Sequence, residues 1–212
     1  MKEMKSKTPY MISLRDRILD AAMQAFAAKG IKAVRMDDIA QMLGISKRTL
    51  YEIYENKEIL LLEGVKKFKA MKDEEVKILY ADCKNVMDIM LTAYKIKVTE
   101  FRKSCPEFYS DIVKYPTVMA LFQQDKKQFH HSLVGYLNRG AEEGFFRKDV
   151  NYDLVANFYS SIMEHVMMQH LYKTYTIEEI FHNVLFVSFR GICTEEGVAY
   201  LDKYIDVSDA TI

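Results

Sequence analysis

The chain predicts an all-α protein of two parts, and three observations carry that. Apolar residues recur at helical intervals along most of its 212 residues, while no stretch alternates as a strand would. It holds only 3 Pro and 8 Gly, few helix breakers for its length. Charge divides unevenly. Residues 1–70 hold 14 Lys and Arg against 9 Asp and Glu, whereas 71–212 hold 16 against 21, so a neutral chain has a basic front and an acidic remainder.

Composition narrows the class further. At 50% hydrophobic the chain can bury a large core. No run approaches the ~18 apolar residues of a membrane span. No apolar segment follows the N-terminal lysines, so no signal peptide is expected. Cys83, Cys105 and Cys193 are odd in number and far apart, which fits a reducing cytoplasm better than a disulfide framework. There is no fixed-period repeat and no low-complexity segment.

Taken in order, residues 1–11 read as a flexible basic arm carrying Lys2, Lys5 and Lys7. Ser13 can cap a first helix ending at Lys29. Ile18, Leu19, Ala22, Ala25 and Phe26 form its apolar stripe and Gly30 closes it. Val34 and Ile39 can staple the start of a second helix whose N-cap is Arg35. Ile39, Ala40 and Leu43 share one face of that helix. Gly44 follows, where a left-handed residue ends a helix at little steric cost. Ser46 suits the N-cap of a third helix, about Lys47 to Tyr54, with Leu50 and Ile53 inward. Small Ala40, the glycine turn and the apolar corner residue Ile45 make this a helix-turn-helix of the kind whose second helix enters the DNA major groove.

The charges point the same way. Lys47 and Arg48 open the third helix, and Lys57 opens the fourth behind the N-cap Asn56. Cations oppose the helix dipole at an N-terminus. A shared phosphate backbone offsets all three. Thr49, Tyr51 and Glu52 lie away from Leu50 and Ile53.

These residues resemble a known family. Gly44-Ile45-Ser46-Lys47-Arg48-Thr49-Leu50-Tyr51, then Tyr54 and Lys57-Glu58, with Asp38-Ile39-Ala40 upstream, look like the TetR family of bacterial transcriptional regulators over about residues 12–65. The resemblance implies a homodimer with an N-terminal DNA-binding domain and a C-terminal helical domain that binds a small ligand and dimerises. It also implies base or backbone contacts from Lys47, Thr49 and Tyr51, and phosphate contacts from Tyr54 and Lys57. Two positions depart from the pattern. Arg35 stands where the family usually has Thr or Ser, and it reaches phosphate only through its guanidinium. Arg48 stands where Gly is frequent, and adds a guanine reader or phosphate clamp.

The remaining chain follows from its breaks. The fourth helix is expected to extend to about Tyr80. Asn85 caps a fifth helix to about Lys103, Cys105-Pro106 ends it, and a short helix lies over Glu107–Lys114. Tyr115-Pro116 precedes a long helix, Thr117 to Glu143, closed by Gly144. Tyr152–Leu171 is helical, with Leu154, Val155, Phe158, Ile162, His165, Val166 and Met168 or Met167 inward. Thr176 and Glu179 form a capping box for a helix to about Cys193, and a last helix starts near Thr194 and ends near Tyr204. The expected domains are therefore 12–72, with the motif at about 35–54, and 73–205, followed by an acidic tail, 206–212.

The second part is dense in Phe101, Tyr109, Phe122, Phe129, Tyr136, Phe158, Tyr159, Met163 and Met167, residues suited to an adaptable site for an apolar or aromatic small molecule. Tyr152–Leu171 and Glu178–Cys193 are apolar on too many sides to stand alone, so Phe158, Ile162, His165, Phe181, Val184, Leu185, Ser188 and Phe189 are the expected dimer surface. His130, His131, His165 and His170 lack ligand spacing, so no metal or cofactor is expected. No nucleophile elbow, phosphate loop or zinc-protease motif occurs, and no enzyme is expected. The function expected is a cytoplasmic, ligand-responsive repressor binding a near-palindromic operator. The rivals are a DNA-bound scaffold recruiting a protein partner and a helical small-molecule carrier or enzyme.

Overall fold

The computed structural model describes residues 9–208. Its elements are α1 (Pro9–Lys29), α2 (Met36–Leu43), α3 (Lys47–Ile53), α4 (Lys57–Ala81), α5 (Val86–Arg102), α6 (Pro106–Ile112), α7 (Pro116–Glu142), α8 (Tyr152–Met168), α9 (Ile177–Ile180), α10 (Val187–Arg190) and α11 (Glu195–Ser208). A 3₁₀ turn covers Leu171–Lys173, and a π turn over Phe181–Phe186 joins α9 to α10. The one bridge among the described residues pairs Phe146 with Cys193. The fold is all-α. Lys2, Lys5 and Lys7 lie outside the described residues, as does the end of the acidic tail from residue 209.

Local chemistry sets most boundaries. Ser46, Asn56, Asn85, Asn151 and Thr176 cap α3, α4, α5, α8 and α9 by accepting from the third residue of each helix, at 2.9–3.2 Å. The Thr176 N–H donates in return to Glu179, completing a capping box. Three expectations change. The first helix already includes Pro9, ahead of the expected cap Ser13. Helix α8 ends at Met168, not near Leu171, since His170 takes a left-handed φ of 53°. The last helix runs to Ser208, beyond Tyr204.

The chain divides into two compact units. One comprises the chain to Glu75 with Lys103–Phe122, the other Val76–Arg102 with the chain from Gln123. The first unit is built on Ile18, Phe26, Ile39, Leu50, Tyr54, Leu60 and Leu61, all 0% exposed. Segment 103–122 joins it through specific contacts. Ile112 and Val118 enter the same core. The Cys105 N–H donates to Ala27 O at 2.7 Å, and Asp111 accepts from the Lys32 N–H at 2.8 Å and from Lys114 Nζ at 2.9 Å. Burial alone would raise the Asp111 pKa, but these donors outweigh it and hold the carboxyl below its ordinary value. Gly30, at φ +83°, lies against Glu107, where an added Cβ would stand 2.8 Å from the Glu107 Cβ.

The second unit packs around Val86, Met87, Leu91, Leu137, Phe146, Ala156 and Leu201. Rings pair within it. Tyr94 meets Phe181 and Phe186 at 5.1 and 5.0 Å, and Tyr159 stacks on Phe189 at 4.6 Å. The Tyr136 hydroxyl donates to Val86 O, and burial lifts its pKa well above the ordinary phenol value. Burial likewise pushes the Cys193 thiol up to about 11.

Helix α8 buries Val166 as expected but corrects the rest of the expected inward face. Tyr152, Ala156, Tyr159 and Val166 are its buried residues. Leu154, Phe158 and Met168 are exposed at 67%, 55% and 74%, and His165 is exposed beside them. Both stripes are apolar at helical spacing, so periodicity alone had no means of choosing between them.

Candidate nucleic-acid interface

The turn between α2 and α3 is a Schellman motif. Gly44 has φ 63°, its N–H donates to Gln41 O at 3.1 Å, and the Ile45 N–H donates to Ala40 O at 3.0 Å. No heavy atom stands within 4 Å of where a Gly44 Cβ would be, so backbone conformation, not crowding, selects glycine. Ala40, 2% exposed, lets the helices meet, and Leu50, 0% exposed, pins α3 to the core.

That anchoring fixes which side of α3 faces water. Lys47, Arg48, Tyr51 and Glu52 are exposed and span about 140° of the helix circumference at 100° per residue. Thr49 is half-buried, with its Oγ1 2.8 Å from Ser46 Oγ. Arg35 is the exposed N-cap residue of α2. Its side chain contributes no cap. Instead its N–H donates to Asp38 Oδ2 at 2.8 Å, so the carboxylate three residues on satisfies the helix start.

Both cations at the start of α3 carry a carboxylate partner. Lys47 Nζ bonds Asp37 across the turn, and Arg48 Nε bonds Glu52 Oε1 at 2.8 Å one helical turn on. Each pairing raises the cation's pKa through the hydrogen bond first and Coulomb attraction second. The Arg48–Glu52 spacing of four was readable as an ion pair in the sequence. Nothing local announced Asp37.

Two expected phosphate contacts are corrected. Tyr54 is 0% exposed, with the Arg15 guanidinium 4.8 Å above its ring. Burial lifts its phenol far above the ordinary range. It is a core residue that no phosphate reaches. Lys57 turns inward, its ammonium donating to Ile31 O at 2.9 Å and Val34 O at 3.0 Å. Desolvation lowers its pKa, with Asp111 and Asp38 opposing. It stitches the α1–α2 connection to the head of α4.

The other expected sites are also redistributed. Of the expected ligand-site residues, Tyr109 and Phe122 belong to the first unit, while Phe101, Phe129, Tyr136, Phe158, Tyr159, Met163 and Met167 lie in the second. Within the second unit Phe101 packs on Tyr172, while Tyr136, Tyr159 and Phe158 belong to one series of ring contacts running through Phe146 and Phe189. Of the expected dimer residues, Leu185 is buried, Phe181 packs on Tyr94 and Phe189 on Tyr159, so these three face inward. Ile162 and Ser188 are half-buried, while Phe158, His165 and Val184 are exposed. Val187, 60% exposed, joins them. Among the described residues no three His, Cys, Asp or Glu side chains gather as a metal site, and no helix is long and apolar enough to cross a membrane.

Residues 18–63 match the family described as bacterial regulatory proteins, tetR family. The HTH-type transcriptional repressor KstR2 of Rhodococcus jostii (strain RHA1) is 26% identical over 150 residues, 68% of this chain and 73% of that protein. The fold is shared with a transcriptional regulator from Saccharomonospora viridis crystallised with choline, at TM-score 0.71 and 16% identity over 87% of this chain and all of that one. It is shared as well with the ketosteroid transcriptional regulator KstR2 of Mycobacterium tuberculosis, at TM-score 0.57 and 22% identity over 86% and 96% of the two chains.

Proposed function

We propose that this chain, which belongs to the TetR family of bacterial transcriptional regulators, is a ligand-responsive DNA-binding repressor that works as a homodimer. One observation carries the reading. Lys47, Arg48, Tyr51 and Glu52 are exposed together on a short helix whose opposite side is pinned by fully buried Leu50. That presents donors and an aromatic edge to a major groove, in an orientation the core holds.

In this reading residues 12–72 read DNA in the cytoplasm, with Arg35, Lys47, Arg48, Thr49 and Tyr51 as the contacts. Within residues 73–205, the second unit, Val76–Arg102 with the chain from Gln123, binds the ligand and pairs with a second copy. The outward α8 stripe of Leu154, Phe158, His165 and Met168, with Val184 and Val187, supports pairing, because an exposed apolar surface of this kind favours a partner. Two-fold pairing places two reading helices on a near-palindrome. The regulator from S. viridis holds choline, and the aromatic density of the second unit here supports a largely apolar or aromatic small molecule. Such a ligand need favour one state by only ~1–3 kcal/mol to change DNA occupancy.

The test is a titration of purified protein against labelled DNA from upstream of its own and adjacent genes at two salt concentrations. Specific binding that weakens with salt, and changes when the ligand is added, is expected. Failure to distinguish that DNA from a scrambled duplex at either salt would sink the proposal.

A further inference from the structure

We infer that Glu52 is a specificity-determining residue of the reading helix, turning Arg48 from a general anion clamp into a reader of guanine; the inference rests on the DNA-binding reading above. The two side chains sit one turn apart on the exposed face of α3, joined by a 2.8 Å bond from Arg48 Nε to Glu52 Oε1. The Arg48 side chain is 88% exposed and that of Glu52 60%. Core packing holds neither, so the pair itself sets where the guanidinium points.

The bond uses one edge of the guanidinium. Nη1 and Nη2, which carry the donors for end-on bidentate contact, are not engaged by it. Guanine offers N7 and O6 at a matching spacing in the major groove, and both are neutral acceptors. A phosphate is different. Approaching the same guanidinium, it meets the Glu52 carboxylate at close range, and like charges repel. The carboxylate therefore costs the arginine much of its attraction to backbone at arbitrary sequence while leaving the fork for a base edge. Glu52 contributes orientation and charge balance. Arg48 makes the contact.

The experiment uses the full chain, the variants Arg48→Ala, Glu52→Gln and Glu52→Ala, a random-sequence duplex, and selection from a randomised duplex pool. Wild type is expected to enrich a guanine in each half-site that Arg48→Ala no longer enriches. Glu52→Gln keeps a hydrogen-bond acceptor but removes the charge. It should bind the random duplex about five- to tenfold tighter at about 0.1 M salt, with a log–log salt slope steeper by about 0.9, while retaining the guanine. Glu52→Ala loses the orienting bond too and should weaken the guanine preference. Glu52→Gln binding the random duplex no tighter than wild type overturns the inference, as does Arg48→Ala retaining the guanine. Wild type that binds no duplex even at about 0.05 M salt overturns the DNA-binding reading itself, and the role of Glu52 falls with it.

Discussion

Replacing Lys57 with methionine separates an internal strut from a DNA contact. The ammonium donates to Ile31 O and Val34 O at 2.9 and 3.0 Å, bridging the α1–α2 connection to α4. A charged hydrogen bond contributes ~1.5–3 kcal/mol. Lys57 is half-buried, so water recovers part of that for each released carbonyl. We expect a net loss of about 2 kcal/mol. For a chain of this length each kcal/mol moves the midpoint by roughly 2–4 °C, so Tm should fall by about 4–8 °C. Thermal unfolding followed by helical circular dichroism reads this directly. In the same samples the salt slope of DNA binding should shift by less than about 0.3, because the ammonium faces the protein. An unchanged Tm together with a slope lower by about 0.9 would refute the reasoning and make Lys57 a phosphate ligand.

Three further outcomes are expected. Gly44→Ala meets no steric obstacle at its Cβ, so its cost is the left-handed backbone alone, ~1–2 kcal/mol, seen as a lower denaturant midpoint with unchanged slope. Asp111→Asn should lower Tm at neutral pH. The native carboxyl is held below its unfolded value of ~3.9, so its stabilisation is complete above that value and lost as pH falls through the native one. The Tm gap between wild type and variant should therefore close below about pH 4, and a constant gap would assign the loss to packing. Phe158→Glu places a charge on the exposed α8 stripe, and sedimentation should then show a monomer where wild type is a dimer, with helix content unchanged.

What was legible in the sequence was local. Caps at Ser46, Asn56, Asn85 and Thr176 and stops at Pro106 and Pro116 rest on chemistry within four residues, and they appear where spacing put them. So do Arg35 as N-cap residue and Gly44 as the turn. What was not legible depended on distant partners. Lys57 reads as a cation wanting phosphate until two carbonyls more than twenty residues upstream are in place. Tyr54 reads as a polar contact until Arg15 covers its ring. In α8, two apolar stripes compete for the core, and only the packing of Tyr159 on Phe189 settles which one wins. The π turn over Phe181–Phe186 has no composition signal, since its residues fit an α-helix equally well.

Contact between the exposed face of α3 and DNA is tested by comparing wild type with the combined Lys47→Ala, Arg48→Ala, Tyr51→Ala variant on a duplex selected by wild type, across a salt series. Leu50 stays in place, so the fold should persist. The variant should lose discrimination between selected and random duplex, and its salt slope should become shallower. A variant that still prefers the selected duplex, with the wild-type slope, would contradict that contact.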